Sequence, residues 1–196
     1  MSKSINKRKT TIPKWANRSL QGLVYYIGHE LCQYNLYHLG EETIVHETVK
    51  HIQNSIQNLG LALREEMYKD FRPQRVKNMG QKRADIVLYK SDVLDCVIEV
   101  KKAESTKKKI IADITRLINV KEVYPKVRTF LIVVSQKFRP CDFVTENGNA
   151  KRVPLKVGDY YASTIRVYKA TSSFKGIDSA NYACLIEVHK SILESA

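Results

Sequence analysis

Two apolar runs, Asp85 to Tyr89 and Val93 to Val100, are separated only by Lys90, Ser91 and Asp92, and they constrain this chain more than any other feature. Runs this short, rich in Ile, Val and Leu and broken by a polar turn, read as the two strands of a hairpin. A third run, Val127 to Ser135 (VRTFLIVVS), reads as a buried central strand. Between the second and third runs lies a helix with Ile110, Ile111, Ile114, Leu117 and Ile118 on its core side. A strand that returns after a crossover helix pairs parallel to the strand before it. The expected fold is therefore α/β, with a central mixed sheet flanked by helices.

The charges at the strand ends are Asp85, Glu99 and Lys101. A turn near Asp92 places Asp85 roughly opposite Glu99. Strand alternation puts Glu99 and Lys101 on the face of Val97, with Cys96, Ile98 and Val100 on the other. Two carboxylates and one ammonium thus converge at one end of the hairpin. An exposed ion-pair cluster is the plain explanation. The apolar flank Cys96-Val97-Ile98 and Val100 argues for more, because a carboxylate buried there costs several kcal/mol by order of magnitude unless a cation compensates it. Two neighbouring carboxylates also raise each other's pKa, and a bound divalent metal relieves that repulsion.

The chain has 196 residues, with a hydrophobic fraction of 43%, enough for one domain with a real core. Residues 1–14 form a polar basic arm, expected to be flexible, and residues 15–196 the single domain. Cys32, Cys96, Cys141 and Cys184 are widely spaced, with neither zinc-ligand nor disulfide patterning, which fits a reducing, cytoplasmic compartment. No run approaches the roughly 20 apolar residues of a membrane span, so no membrane association is expected. Lys and Arg number 33 against 20 acidic residues, a formal net charge of +13, and point to a polyanionic partner.

Leu20, Leu23, Val24, Ile27 and Leu31 predict a first helix from Trp15 to Tyr37. Val45, Val49, Ile52, Ile56 and Leu59 predict a second from Glu41 to Leu59, stopped by Gly60. That stripe makes Glu42 the better candidate for an inward-looking acid and Glu41 its rival. Acids in a first helical turn are also favoured by the helix dipole alone. A strand is expected around Leu63 to Tyr68. The loop after it carries Arg72, Arg75, Lys77, Lys82 and Arg83 and ends beside Asp85, so phosphate contact next to the carboxylates is the sharper reading. Lys102 follows Lys101, and Lys107, Lys108 and Lys109 open the crossover helix, where cations oppose the dipole unless a phosphate binds there. Beyond Ser135, Asn147-Gly148 predicts a tight turn between short strands within 143–155. Thr164 to Ala170 and Ala183 to His189 predict two strands that extend the sheet.

The order helix, strand, Asp strand, Glu-x-Lys strand, helix, strand over about residues 41–135 resembles the PD-(D/E)XK nuclease superfamily, the restriction-endonuclease-like enzymes. Leu59-Gly60 before a strand and Arg83-Ala84-Asp85 are similar to its restriction-subunit branch. Two departures stand out. Ala84 replaces the proline of the family name, and the helix after Glu-x-Lys offers Asp113 and Arg116 in place of a glutamine.

The resemblance implies an αβββαβ core, here with an added N-terminal helix and extra C-terminal strands. Asp85 would be the motif aspartate, Glu99 the second carboxylate, Lys101 the motif lysine and Glu42 the helix acid. Asp85, Glu99 and the carbonyl of Val100 would hold Mg2+ or Mn2+. Lys101 would position or deprotonate the attacking water. The implied activity is metal-dependent DNA cleavage in restriction, defence or repair, with RNA still open as substrate and a homodimer possible. The rival readings are a non-catalytic nucleic-acid-binding module on the same fold, a structure-specific resolvase of the Holliday-junction type, and a protein that binds an acidic partner.

Overall fold

A computed structural model of the chain describes residues 11–34, 39–59, 83–90, 92–136, 138–152, 154–170 and 180–191. The predicted hairpin is strands β1 (Ile86–Lys90) and β2 (Val93–Lys102). They pair antiparallel with Ile86 opposite Ile98 and Leu88 opposite Cys96, and the register shifts after Leu88. Asp92 takes φ 65° in the turn, a left-handed conformation that a short polar side chain tolerates. Helix α3 (Lys107–Val123) then crosses over to β3 (Arg128–Ser135), which runs parallel to β2 with Glu99 opposite Leu131. Thr106 caps α3, its side chain accepting from the Lys109 N–H.

Three further strands complete a six-stranded mixed sheet, β4 (Leu155–Val157), β5 (Tyr160–Ala170) and β6 (Asn181–Lys190), in the order β1-β2-β3-β6-β5-β4. Strand β3 is central and buried along almost its whole length, as its sequence predicts. The last strands are longer than predicted. The Asn147-Gly148 turn forms, with Gly148 at φ 78°, but it closes a single bridge, Val144 to Ala150, where two short strands were expected. Thr145 explains the difference: its backbone and hydroxyl bond Gly148 and Asn149, so the local polar groups are satisfied by the loop itself.

The sheet is covered on both faces. Cys96, Ile98, Val100, Phe130, Ile132 and Val134 pack with helices α1 (Lys14–Tyr34) and α2 (Glu41–Leu59), while Val97, Leu131 and Val133 pack with Ile110, Ile114 and Leu117 of α3. The alternation read from β2 is therefore the one observed. Of the arm, Ile12 packs on the core and the Thr11 carbonyl accepts from Arg128.

Helix α2 sits differently from its apolar stripe. Ile44, Thr48, Ile52 and Ser55 are its buried line, and Val45, Val49 and Ile56 are only partly buried. Thr48 donates to the Ile44 carbonyl, Ser19 donates to the Trp15 carbonyl, and the Ser55 hydroxyl donates to Ser19 Oγ. These small hydroxyls lie inward without leaving an unpaired polar group. The helix is thereby turned so that Glu41, one turn before Ile44, takes the inward edge. The strand expected around Leu63 to Tyr68 and the loop residues Arg72, Arg75, Lys77 and Lys82 lie outside the described residues.

Close approach of α1 to α2 depends on Gly22, where an added Cβ would stand 2.5 Å from His51 Nδ1. Gly22→Ala is expected to destabilise the protein by about 1–3 kcal/mol through overpacking, although alanine favours helix. In chemical denaturation most of that loss should vanish when the substitution is made in a His51→Ala background. An additive pair would place the strain elsewhere.

Candidate functional site

The hairpin register places Asp85, just before β1, level with Glu99. Asp85 Oδ2 accepts a 2.8 Å hydrogen bond from the Val100 N–H, which fixes its carboxyl against β2. Glu99 and Lys101 point to the α3 side, where Asp113 and Arg116, one turn apart, meet them. Arg116 Nη2 lies 2.8 Å from Glu99 Oε2 and 2.5 Å from Asp113 Oδ1. Lys101 Nζ lies 3.3 Å from Asp113 Oδ2 and 2.6 Å from Glu41 Oε1. Four elements of the chain, α2, the β1 approach, β2 and α3, thus supply one continuous charged network. It opens into a cleft of about 510 Å3 lined by Glu41, Arg83, Asp85, Glu99, Lys101, Ser105, Lys109, Ala112, Asp113 and Arg116.

The network is short of positive charge. Four carboxyl groups, Glu41, Asp85, Glu99 and Asp113, share two paired cations, Lys101 and Arg116. Glu99 bears the consequence, being only 1% exposed. Burial, and then the neighbouring Asp85 charge, push its pKa up to about 8 against the opposing Arg116. Asp85 is also held above the usual carboxylate range, chiefly by burial, with the Val100 N–H and Lys101 pulling the other way. Burial works against the Lys101 ammonium, but its bonds to Glu41 and Asp113 outweigh that and raise its pKa, so it stays protonated at neutral pH.

Glu99 Oε1 is buried and has no N–H donor, and the Glu99 carboxyl can bond Asp85 only while one of the two keeps a proton. A carboxyl oxygen beside a second carboxyl suits a hard divalent cation, which takes oxygen ligands and supplies positive charge. Asp85 and Glu99 fit such an ion. Val100 meets Asp85 through its N–H, a contact that sequence does not reveal. Among the described residues, no group of three or more His, Cys, Asp and Glu side chains is placed to hold a metal. At the end of the hairpin two carboxyl groups, Asp85 and Glu99, stand together.

The other expected residues divide. Glu42 is exposed and lines no part of the cleft, whereas its rival Glu41 lines it and bonds Lys101. The reason is the rotation of α2 that buries Thr48 and Ser55. Arg83 and Lys109 line the cleft, and Lys107 and Lys108 are exposed on the first turn of α3 beside it. Lys102 reaches away from the cleft and donates to the Leu39 carbonyl, which ties β2 to the start of α2 rather than presenting a free cation. Asp113 and Arg116 are the residues that sequence reasoning passed over as site members. Their signal was an acid set among Ile110, Ile114 and Leu117 on a helix whose core side is otherwise apolar.

Comparison with protein-family models, curated proteins and solved structures finds no match for this chain. No helix among the described residues is long and apolar enough to cross a membrane.

The raised pKa of Glu99 has a definite sign in stability. Between its ordinary value of 4.5 and about 8 the native state holds a proton that the unfolded state has lost. The stability this group contributes is fully present below 4.5 and falls as pH rises to about 8. Without divalent ions, Glu99→Gln is expected to gain on the wild type as pH is raised from about 6 to about 8.5, by up to a few kcal/mol by order of magnitude. Denaturation curves across that range check it, and a constant difference between the two proteins would contradict it.

Proposed function

We propose that this chain is a Mg2+- or Mn2+-dependent DNA endonuclease built on a restriction-endonuclease-like core. The observation that carries this reading is the buried Glu99 carboxyl beside the half-buried Asp85 and a protonated Lys101, in a cleft edged by Arg83 and Lys109. Asp85, Glu99 and the Val100 carbonyl would hold the cation. When bound, it would lower the pKa of a coordinated water and polarise the phosphate.

The protein's own groups do the rest. Lys101 Nζ, held between Glu41 and Asp113, donates to the attacking water and meets negative charge as it develops on the phosphate. Its raised pKa favours this orienting and stabilising role over that of a base. Glu41, hydrogen-bonded to Nζ, holds the ammonium in place at the cleft mouth, where the proton lost by the attacking water is taken up by solvent. Arg83, Lys107, Lys108 and Lys109 draw the nucleic-acid backbone to the cleft mouth. The closed ion pairs of Arg116 with Glu99 and Asp113 favour one second reading, a nucleic-acid-binding module that keeps these charges as structure.

Supercoiled, linear, branched and single-stranded DNA, and RNA, offered with Mg2+ or Mn2+, separate the two. The wild type is expected to cleave at least one DNA form. Asp85→Asn and Lys101→Gln are expected to lower the rate by about 100-fold or more while still binding it. Binding without cleavage across the panel would favour the module. Undiminished cleavage by both variants would remove the assignment.

A further inference from the structure

Arg116 is placed oddly for a residue that only neutralises a buried acid. A single nitrogen, Nη2, bridges Glu99 Oε2 and Asp113 Oδ1, while Nε is buried without a hydrogen-bond partner. Its hold on Asp113 lies within α3, three residues apart. Its hold on Glu99 crosses to β2 and engages the very carboxyl that the proposed cation needs. Cation and guanidinium so close together repel strongly in a partly desolvated cleft. Of the two contacts, the one to Glu99 is the one a divalent ion weakens.

We propose that Arg116 is the resident counter-cation of Glu99 in the metal-free protein and that metal entry hands its guanidinium over to a substrate phosphate. This inference rests on the reading of the site as a metal-dependent nuclease. Asp113 keeps the side chain in the cleft after Glu99 is given up. Nε and Nη2 lie on one edge of the guanidinium, the edge that takes two oxyanion oxygens side by side. Once Nη2 is released, the guanidinium turns so that Nη2 and the Nε–H, buried in the metal-free protein, meet the phosphate that Arg83 and Lys109 draw to the same cleft. Glu99 trades a monovalent partner, and the proton it shares with its surroundings, for a divalent one, and the freed cation meets the incoming anion.

Removing Arg116 therefore has opposite effects on the two ligands, which a merely structural ion pair does not produce. Calorimetric titration of Mn2+ into the metal-stripped full chain reads the first effect. Binding of a short DNA duplex with and without Ca2+ reads the second. Arg116→Gln is expected to bind Mn2+ about ten-fold more tightly, since a competing charge is gone. It should lose about ten-fold of the DNA affinity that Ca2+ confers on the wild type, since the bidentate donor is gone. Arg116→Lys retains the charge without the fork, so its Mn2+ affinity stays within about two-fold of the wild type while the Ca2+-dependent gain is lost.

An unchanged or weaker Mn2+ affinity in Arg116→Gln, or a full Ca2+-dependent gain in Arg116→Lys, overturns the exchange. In either case the site's metal dependence still stands if Mn2+ binding by the wild type is abolished in Asp85→Asn. Failure of the wild type to bind Mn2+ through Asp85 removes the nuclease reading and this inference with it. If Arg116→Gln does not fold, the lysine variant alone carries the test.

Discussion

The burial of Glu99 is the constraint on which the rest of the site depends. Strand β2 is covered on one face by α1 and α2 and on the other by α3, so a carboxyl near its end is 1% exposed and cut off from the water that would stabilise its charge. Such a group is tolerated in three ways: by holding its proton, by pairing with a cation, or by binding a metal. This protein shows the first two at once, with a pKa pushed up to about 8 and an Arg116 contact of 2.8 Å. The third is what Asp85 alongside makes chemically attractive, because a second carboxyl worsens the repulsion that a divalent ion removes.

The surrounding ion pairs make that position specific. Lys101 is gripped from both sides, by Glu41 on α2 and by Asp113 on α3, and Asp113 in turn grips Arg116. Each partner fixes the rotamer of the next, so residues far apart in sequence are held in one arrangement. Buried pairs of this kind contribute little net stability after desolvation. Their retention in a cleft edged by further cations fits the catalytic reading better than a purely structural one. Lys102, by contrast, spends its charge on the Leu39 carbonyl on the opposite face, so adjacent lysines in sequence serve different ends.

Much of this was legible in the sequence, for physical reasons that can be named. The hairpin, the crossover and the central position of Val127 to Ser135 followed from apolar runs too short for helices and from the handedness of strand–helix–strand connections. The division of Glu99 and Lys101 from Ile98 and Val100 followed from strand alternation. The orientation of α2 was not legible, because Thr48 and Ser55 look polar in sequence yet satisfy their hydroxyls locally and lie buried. That misplacement is what put Glu42 forward instead of Glu41. Asp113 and Arg116 were visible as residues that depart from an expected pattern, but their meeting with β2 depends on how α3 lies across the sheet, which no local pattern encodes. The extents of β5 and β6 were understated because Tyr160 to Ser163 and Asn181 to Tyr182 mix polar residues into strands fixed by pairing rather than by propensity.

Everything proposed for this protein turns on Asp85 and Glu99 forming the seat of a divalent cation. Anomalous diffraction from a crystal grown with Mn2+ tests it most directly. A manganese peak is expected at about 2.1 Å from a carboxylate oxygen of each residue. No peak between Asp85 and Glu99 at saturating Mn2+, with Arg116 still bonded to Glu99, would contradict it.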